Sequence, residues 1–293
     1  MKLSKDTTVF NIIGYTLVTL VALGCVLPIV LLVSGSLTPE REISLHGFTL
    51  LPPSITFVAY DLVFKNPQEL LGGYEVTLFI TFVGSLLGLV ITSMTAYVMS
   101  RKDFVHRNKV SFFFYFTTLF NGGLMSTYIF VIRYLHLKNS LLALILPLMV
   151  NVFYLIVMRS FMTTVPESII ESGKIEGAGE FTIFFRLVLP LLKPALATIG
   201  LFLALDYWND WSNAMLYLTE RSLYPLQYLL YSMLSETDAM SRIASNTGIP
   251  MGNLPSQSLK MAMTVVATGP IILVYPMVQK YFIKGITVGA VKG

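Results

Sequence analysis

Charge is what this sequence has least of. Only 12% of its 293 residues are Asp, Glu, Lys or Arg, whereas 55% are hydrophobic, and soluble domains carry roughly 25% charged residues. With mean hydropathy +0.72, too few polar side chains remain to cover a water-facing surface, so the chain is read as an all-α membrane protein. The single cysteine, Cys25, leaves no disulfide framework. His46, His106 and His136 are the three histidines; they lie far apart and no His-Glu-x-x-His occurs, so no metal site is expected. There is no Gly-x4-Gly-Lys-Ser/Thr phosphate loop and no Gly-x-Ser-x-Gly elbow, which argues against nucleotide hydrolysis or a serine nucleophile in this chain. No basic, aromatic-interleaved face points to nucleic acid. The net charge of +4 suits anionic lipid headgroups instead.

What is present is a set of six apolar runs long enough to cross a bilayer, at about residues 12–34, 76–99, 111–133, 140–158, 190–217 and 259–282. Leu23-Gly24-Cys25 has the outline of a lipoprotein cleavage site. Ala22 stands where a larger aliphatic residue is expected, however, and the apolar run continues to Val33, so this run is read as a span. If the amino terminus is cytoplasmic, the inner side holds 13 of the 20 basic residues. The cluster Arg101-Lys-Asp-Phe-Val-His-Arg-Asn-Lys109 contributes the most. The positive-inside rule then places both termini in the cytoplasm, residues 1–11 as a leading segment and 283–293 as a tail. Two proline-bearing outer stretches, 35–75 and 218–258, are read as connections.

Residues 159–189 cannot stay in hydrocarbon, because Glu167, Glu171, Lys174, Glu176, Glu180 and Arg186 would each be costly there. Thr164-Val-Pro-Glu167 has capping-box spacing, so a short helix is expected to start there. It would place Glu167 and Glu171 on one face, with Lys174 three residues on. Ile169, Ile170 and Ile175 form an apolar patch, and Gly177 and Gly179 permit a tight turn beyond Glu176. From spacing alone, an interfacial helix lying on the membrane and a protein-docking helix are equally good readings.

Two further groups stand out inside spans. In the fifth, helical spacing puts Asp206, Asn209, Asp210 and Asn213 on one broad side, with Trp208 and Trp211 three apart. Carboxylates and amides can bond sugar hydroxyls and indoles can cover pyranose faces; interfacial anchoring by the tryptophans is the competing reading. In the third, Asn121-Gly122-Gly123 follows the Phe-rich stretch 112–120, and paired glycines allow close packing or a kink. The phenylalanines themselves read as lipid-facing. Pro28, Pro147, Pro270 and Pro276 suggest further bends.

The polar stretch resembles the EAA loop of ABC importer permeases: Glu171, then Gly177 six residues on, then Leu189-Pro190, with Ser172 and Gly173 in place of two alanines. The likeness extends to Ala96-Tyr-Val-Met-Ser-Arg101, Phe120-Asn-Gly-Gly123, Leu135-His-Leu-Lys-Asn139, Trp208-Asn-Asp-Trp211, Tyr224-Pro-Leu-Gln227 and Gln279-Lys-Tyr-Phe-Ile-Lys-Gly285. It is strongest to carbohydrate-uptake permeases similar to the second permease of the maltose importer, in their oligosaccharide and complex-glycan branch, which includes alginate importer permeases.

This resemblance implies a type I ABC importer permease fold with six transmembrane helices in a bacterial cytoplasmic membrane. It also implies a coupling loop over 159–189. Glu167, Ile170, Glu171, Lys174, Ile175, Gly177 and Ala178 would engage a separate ATPase that binds ATP and Mg, and this chain would bind no cofactor. The implied partners are a second, homologous permease, two ATPase subunits, an extracytoplasmic solute-binding protein and an oligosaccharide. Asp206, Trp208, Asn209, Asp210, Trp211, Asn213, Asn121, Gly122 and Gly123 are the candidates for the substrate pathway. Two other classes use the same aspartates: an ion-coupled secondary sugar transporter, and a membrane-embedded enzyme acting on glycan or lipid. Six spans without an inverted repeat are few for the first, and product formation by the isolated chain would mark the second.

Overall fold

The computed structural model describes residues 5–120, 122–247, 257–270 and 272, and among these no strand occurs. Helix α1 (Lys5–Ser36) contains Pro28 and is followed by two short helices, α2 (Glu40–His46) and α3 (Val58–Val63). α4 (Pro67–Ser100) is 34 residues long. α5 (Arg107–Leu119) and α6 (Gly123–Ile129) flank a break, and α6 runs on into a π turn, Phe130–Tyr134. α7 (Leu142–Ile145) tightens into a 3-10 turn before α8 (Val152–Met162). α9 (Glu167–Ile175) stands alone. α10 (Glu180–Thr182) passes through a π turn and a 3-10 turn into α11 (Lys193–Asn209). α12 (Ser212–Tyr217), α13 (Leu226–Thr247) and α14 (257–270) complete the described helices of four or more residues.

Among the described residues, three helical stretches are long and apolar enough to cross a bilayer: Phe10–Ser36, Pro67–Ser100 and Glu180–Asn209. The pair Leu142–Leu148 and Val152–Met162, bent by 51°, makes a fourth if counted as one span. The expected span 111–133 is not one continuous helix. Phe120 is extended (φ −123, ψ 112) and Gly123 has φ +82, a conformation that a side chain disfavours. Gly123 alone therefore takes the left-handed conformation, Gly122 being right-handed, and no close-packed neighbour lies where a Cβ on Gly123 would sit. In the expected span 140–158, Pro147 supplies no N–H and its ring crowds the preceding turn, so α7 tightens and ends.

The expected span 190–217 shifts toward the amino terminus. Helix already begins at Glu180, absorbs Pro190 by a π turn (Ile183–Val188) followed by a 3-10 turn, and stops at Asn209. Of the expected span 259–282, residues up to 270 and Ile272 are described, and the tail 283–293 lies outside the described residues.

The chain divides into two compact units, one formed by the residues up to Pro67 with 230–270, the other centred on Gln68–Leu229. In the first, the end of α1 is tied down by polar contacts. Ser34 Oγ donates to the Thr49 carbonyl (2.7 Å), and Ser36 Oγ and the Tyr60 hydroxyl lie 2.8 Å apart. Glu40 accepts from the backbone N–H of Gln257 and Ser258 and from Ser258 Oγ, so an acid neutralises the free amides at the start of α14. The stretch 35–75, expected to be a plain connection, thus includes a helix cap.

In the second unit the core is built from Ala96 and Met99 of α4, Leu155 and Met158 of α8, Ile183 and Val188 of the π turn, and Ile199 and Leu203 of α11, all buried. Helices in lipid gain little from hiding apolar surface and depend on close approach. Gly84 and Gly88, four apart on α4, provide it. A Cβ on Gly84 would lie 2.4 Å from the Tyr207 ring, and one on Gly88 2.9 Å from the Met149 carbonyl. Tyr207 in turn donates its hydroxyl to the Ile145 carbonyl (2.7 Å), beside the break between α7 and α8. A polar backbone group released by an irregular turn is thereby satisfied within the protein.

Candidate functional site

The segment between α8 and α11 folds around two local events. Thr164 does not form the expected capping box: its Oγ1 donates back to the Phe161 carbonyl (2.8 Å), and Pro166 occupies the cap position with no side-chain hydrogen bond. The helix starts at Glu167, two residues later than a Thr164 cap would require, so the box register does not apply. At the far end, the Ala178 N–H bonds the Gly173 carbonyl (2.9 Å), the Gly177 N–H bonds the Lys174 carbonyl (3.0 Å), and Gly177 has φ +77. This is a Schellman termination with glycine at its left-handed position.

One face of α9 is pressed onto its own chain. Gly173 is buried, and a Cβ there would come within 2.8 Å of Leu187 and 3.2 Å of Ile183. The small residue standing where the EAA pattern has alanine thus sets how closely α9 approaches the π turn. Ile170 and Ala178 pack against the core and face inward. Two of the expected coupling residues are therefore engaged within the chain, because a nine-residue helix must bury one side to stay in place.

A ring of alternating charges holds a second side. Arg101 grips Asp103 with two bonds, Nε to Oδ1 at 2.9 Å and Nη2 to Oδ2 at 2.5 Å. Lys174 Nζ donates to the same Oδ2 at 2.9 Å and lies 3.4 Å from Glu180 Oε1, which is 3.6 Å from Arg101 Nη2. The Tyr97 hydroxyl donates to Glu180 Oε2 (2.9 Å), and the Arg101 guanidinium sits 5.7 Å from the Tyr97 ring centre. Lys102 pairs with Glu167. The hydrogen bonds from Arg101 and then Lys174 hold the Asp103 carboxyl well below the usual carboxylate range. The bond to Asp103 raises both Arg101 and Lys174 above their ordinary values, so these two and Asp103 stay charged at neutral pH.

Glu167 and Lys174 are thus tied to the 101–103 turn. Glu171 is exposed and has no ion-pair or hydrogen-bond partner among the described residues. It borders an open groove of ≈ 610 Å³ lined also by Arg101, Lys102, Thr164, Glu167 and Ile170. Ile175 is 87% exposed. An unpartnered acid, a bare isoleucine and a glycine turn are what this segment presents outward.

The expected pathway residues are dispersed. Asp206 accepts from the Tyr154 hydroxyl (2.8 Å), and the Tyr154 ring stacks on Phe202 at 5.9 Å. Asn209 Nδ2 bonds back to the Leu205 carbonyl at the helix end. Asp210 leaves the helix and caps α12: its Oδ1 accepts from the Asn213 N–H (3.1 Å) and Ser212 Oγ (3.0 Å), and its Oδ2 from Asn213 Nδ2 (2.9 Å). Because the helix stops at Asn209, the expected single side carrying Asp206, Asn209, Asp210 and Asn213 does not form. Trp208 is buried and Trp211 is 39% exposed. Asn121 lies outside the described residues, and Gly122 and Gly123 form the break already described.

Asn139, at the end of the Leu135–Asn139 stretch, is a hub. In left-handed backbone (φ 53), its Oδ1 accepts from Thr219 N and Oγ1 and from Glu220 N, and its N–H bonds the Tyr217 carbonyl. A lone Asn in a short polar turn was the available signal. Gly84-Ser-Leu-Leu-Gly88, a small-xxx-small stripe, was the signal for the Tyr207 contact.

No protein-family model matches the sequence. Among known proteins, it is 38% identical over 284 residues to the polygalacturonan/rhamnogalacturonan transport system permease protein YtcP of Bacillus subtilis, covering 97% of this chain and 98% of that one. The chain belongs to the carbohydrate ABC transporter permeases. This permease is also 36% identical over 292 residues to protein LplC of Bacillus subtilis, across 99% and 97% of the two chains. Its fold matches a chain in the crystal structure of a bacterial ABC transporter involved in the import of the acidic polysaccharide alginate. The TM-score is 0.79 with 28% identity, covering 96% of the permease and 99% of that chain. The relatives are transport permeases, which are non-catalytic membrane subunits.

Proposed function

We propose that this permease forms half of the translocation pathway of an ATP-driven oligosaccharide importer, with α9 as the element gripped by a separate ATPase. The observation that carries the reading is the division of labour on α9. Glu167, Ile170 and Lys174 are spent on the chain's own loop and core, whereas Glu171 and Ile175 project outward beside the Gly177 turn. A solvent-exposed carboxylate with no internal partner matches a basic group on a docking protein, and an exposed isoleucine matches an apolar groove. Closure of a nucleotide-bound ATPase pair would then bias a two-state arrangement of the membrane helices.

In this reading the chain makes six crossings with both termini in the cytoplasm of a bacterial inner membrane. It pairs with a second, similar permease, two ATPase subunits and an extracytoplasmic solute-binding protein. ATP and Mg belong to the ATPase, and this chain performs no hydrolysis. The named cargoes of relatives, polygalacturonan or rhamnogalacturonan for one and alginate for the structural neighbour, favour a uronate-containing oligosaccharide. The test uses the reconstituted four-chain membrane complex with its binding protein and oligogalacturonate. Glu171→Ala and Gly177→Asp should leave the permease folded and ATP hydrolysis measurable while uptake is lost. Unimpaired uptake in both variants would refute the coupling role.

A further inference from the structure

The ring of Arg101, Asp103, Lys174 and Glu180 joins three separate pieces of chain. Arg101 and Asp103 follow directly on α4, Lys174 belongs to α9, and Glu180 opens the 30-residue helical stretch that ends at Asn209. The sequence separation is large, 71 residues between Asp103 and Lys174 and 83 between Tyr97 and Glu180. The Asp103–Lys174, Arg101–Glu180 and Tyr97–Glu180 links are therefore tertiary, and the Arg101–Asp103 fork and the Lys174–Glu180 pair are local.

Such surface charges add little stability one pair at a time. Their geometry is a different matter. The Arg101 side chain is only 11% exposed, lies over Tyr97 and holds Asp103 through a two-point fork, so the carboxylate that receives Lys174 is fixed in direction. Glu180 is oriented by a single bond from the Tyr97 hydroxyl. On its other side α9 is seated by Gly173 against Ile183 and Leu187. Lys102 with Glu167 makes a second tie near the start of α9. A helix held at both ends and along one side cannot swing by itself.

We infer that this ring is a brace that makes α9, the 101–103 turn at the end of α4 and the start of the Glu180–Asn209 stretch move as one body. A push on α9 then reaches two membrane-length helices at once. Asp103 and Lys174 are positioning residues for coupling: Lys174, which the resemblance would have engage the ATPase, is held by Asp103 and Glu180 instead. The inference rests on the coupling role proposed for α9 and adds to it the path by which movement enters the membrane.

The test measures a distance. In a Cys25→Ser background of the full complex, nitroxide labels are placed at Ser168→Cys on α9 and Val105→Cys in the connection after the ring; both positions are exposed. Pulsed EPR then compares nucleotide-free and vanadate-trapped states. The brace requires one narrow distance, the same in both states. Lys174→Met should broaden it or make it state-dependent, and Lys174→Arg, which can still bond Asp103 and Glu180, should restore it. A distance that changes between states in the otherwise native chain overturns the inference, as does a narrow, unchanged distance in Lys174→Met. Because the labels report rigidity and not docking, loss of the Glu171 prediction would leave this outcome readable.

Discussion

The segment around α9 and the end of α11 both drew notice as clusters of polar residues, and the structure handles them in opposite ways. At Asp206–Asn213 most of the polar groups are consumed locally: Asp210 caps α12 and Asn209 returns to its own helix, while Asp206 alone reaches across to the Tyr154 hydroxyl of α8. Around α9 they are consumed at long range, and Glu171 is left over. A polar residue inside an apolar run therefore signals function through what remains after local needs are met. In the first region the geometry is locked by short hydrogen bonds to neighbouring side chains and backbone. In the second it is locked by exposed charges whose loss should disturb communication more than stability.

The largest effect expected from this contrast is at Gly84→Ala, where a Cβ would overlap a Tyr207 ring already pinned to the Ile145 carbonyl. Thermal unfolding in detergent should show a loss of about 1–3 kcal/mol, the usual cost of overpacking. An unchanged midpoint would show that this interior is looser than its contacts imply. Next comes Asp210. Removing the cap with Asp210→Ala should cost about 0.5–2 kcal/mol, while Asp210→Asn, whose amide oxygen can still accept the Asn213 N–H, should retain most of the stability. If Asp210→Asn instead kept full stability and abolished uptake of oligogalacturonate, the residue would be a substrate contact and the contrast between the regions would fail.

The smallest effect concerns pH. Asp103 has its pKa lowered in the folded chain, so its contribution is fully present above the ordinary carboxylate value of about 4 and is lost as pH falls through the lowered value. Between pH 5 and 8 the stability of the wild-type permease should therefore not respond to this group. A difference between wild type and Asp103→Asn that grows across that interval would show that the ring titrates and is weaker than its geometry suggests.

Much of the architecture was legible because it follows from composition and punctuation. The deficit of charge announced the bilayer, the apolar runs announced helices, and Gly177 announced a turn that is present with φ +77. What escaped has physical causes. A break such as Phe120–Gly123 is invisible to hydropathy, since glycine and phenylalanine are both compatible with lipid. The stop at Asn209 was written in Asp210-Trp-Ser-Asn213, a capping pattern, but was read as helical spacing. The ring at Asp103 could not be read at all, because its partners are brought together only by the packing of α9 on the π turn. The seven outward expectations on the coupling segment separated for the same reason: burial chose Ile170 and Ala178 for the interior, and only the folded chain reveals that choice.

The first helix carries one more consequence. Its stretch Phe10–Ser36 has the highest mean hydropathy of the three long candidates, 2.7, and the most apolar window within it has no side chain hidden against the rest of the protein. A helix satisfied by its own backbone bonds and by whatever apolar medium surrounds it is interchangeable in a way that α4, notched by Gly84 and Gly88, is not. Sequence drift should therefore be nearly free along the most apolar stretch of α1, ahead of its anchored end at Ser34–Ser36, so long as apolarity is kept, and tightly restrained along one stripe of α4. The two long helices would age differently over evolutionary time, one as a generic anchor and the other as a fitted part.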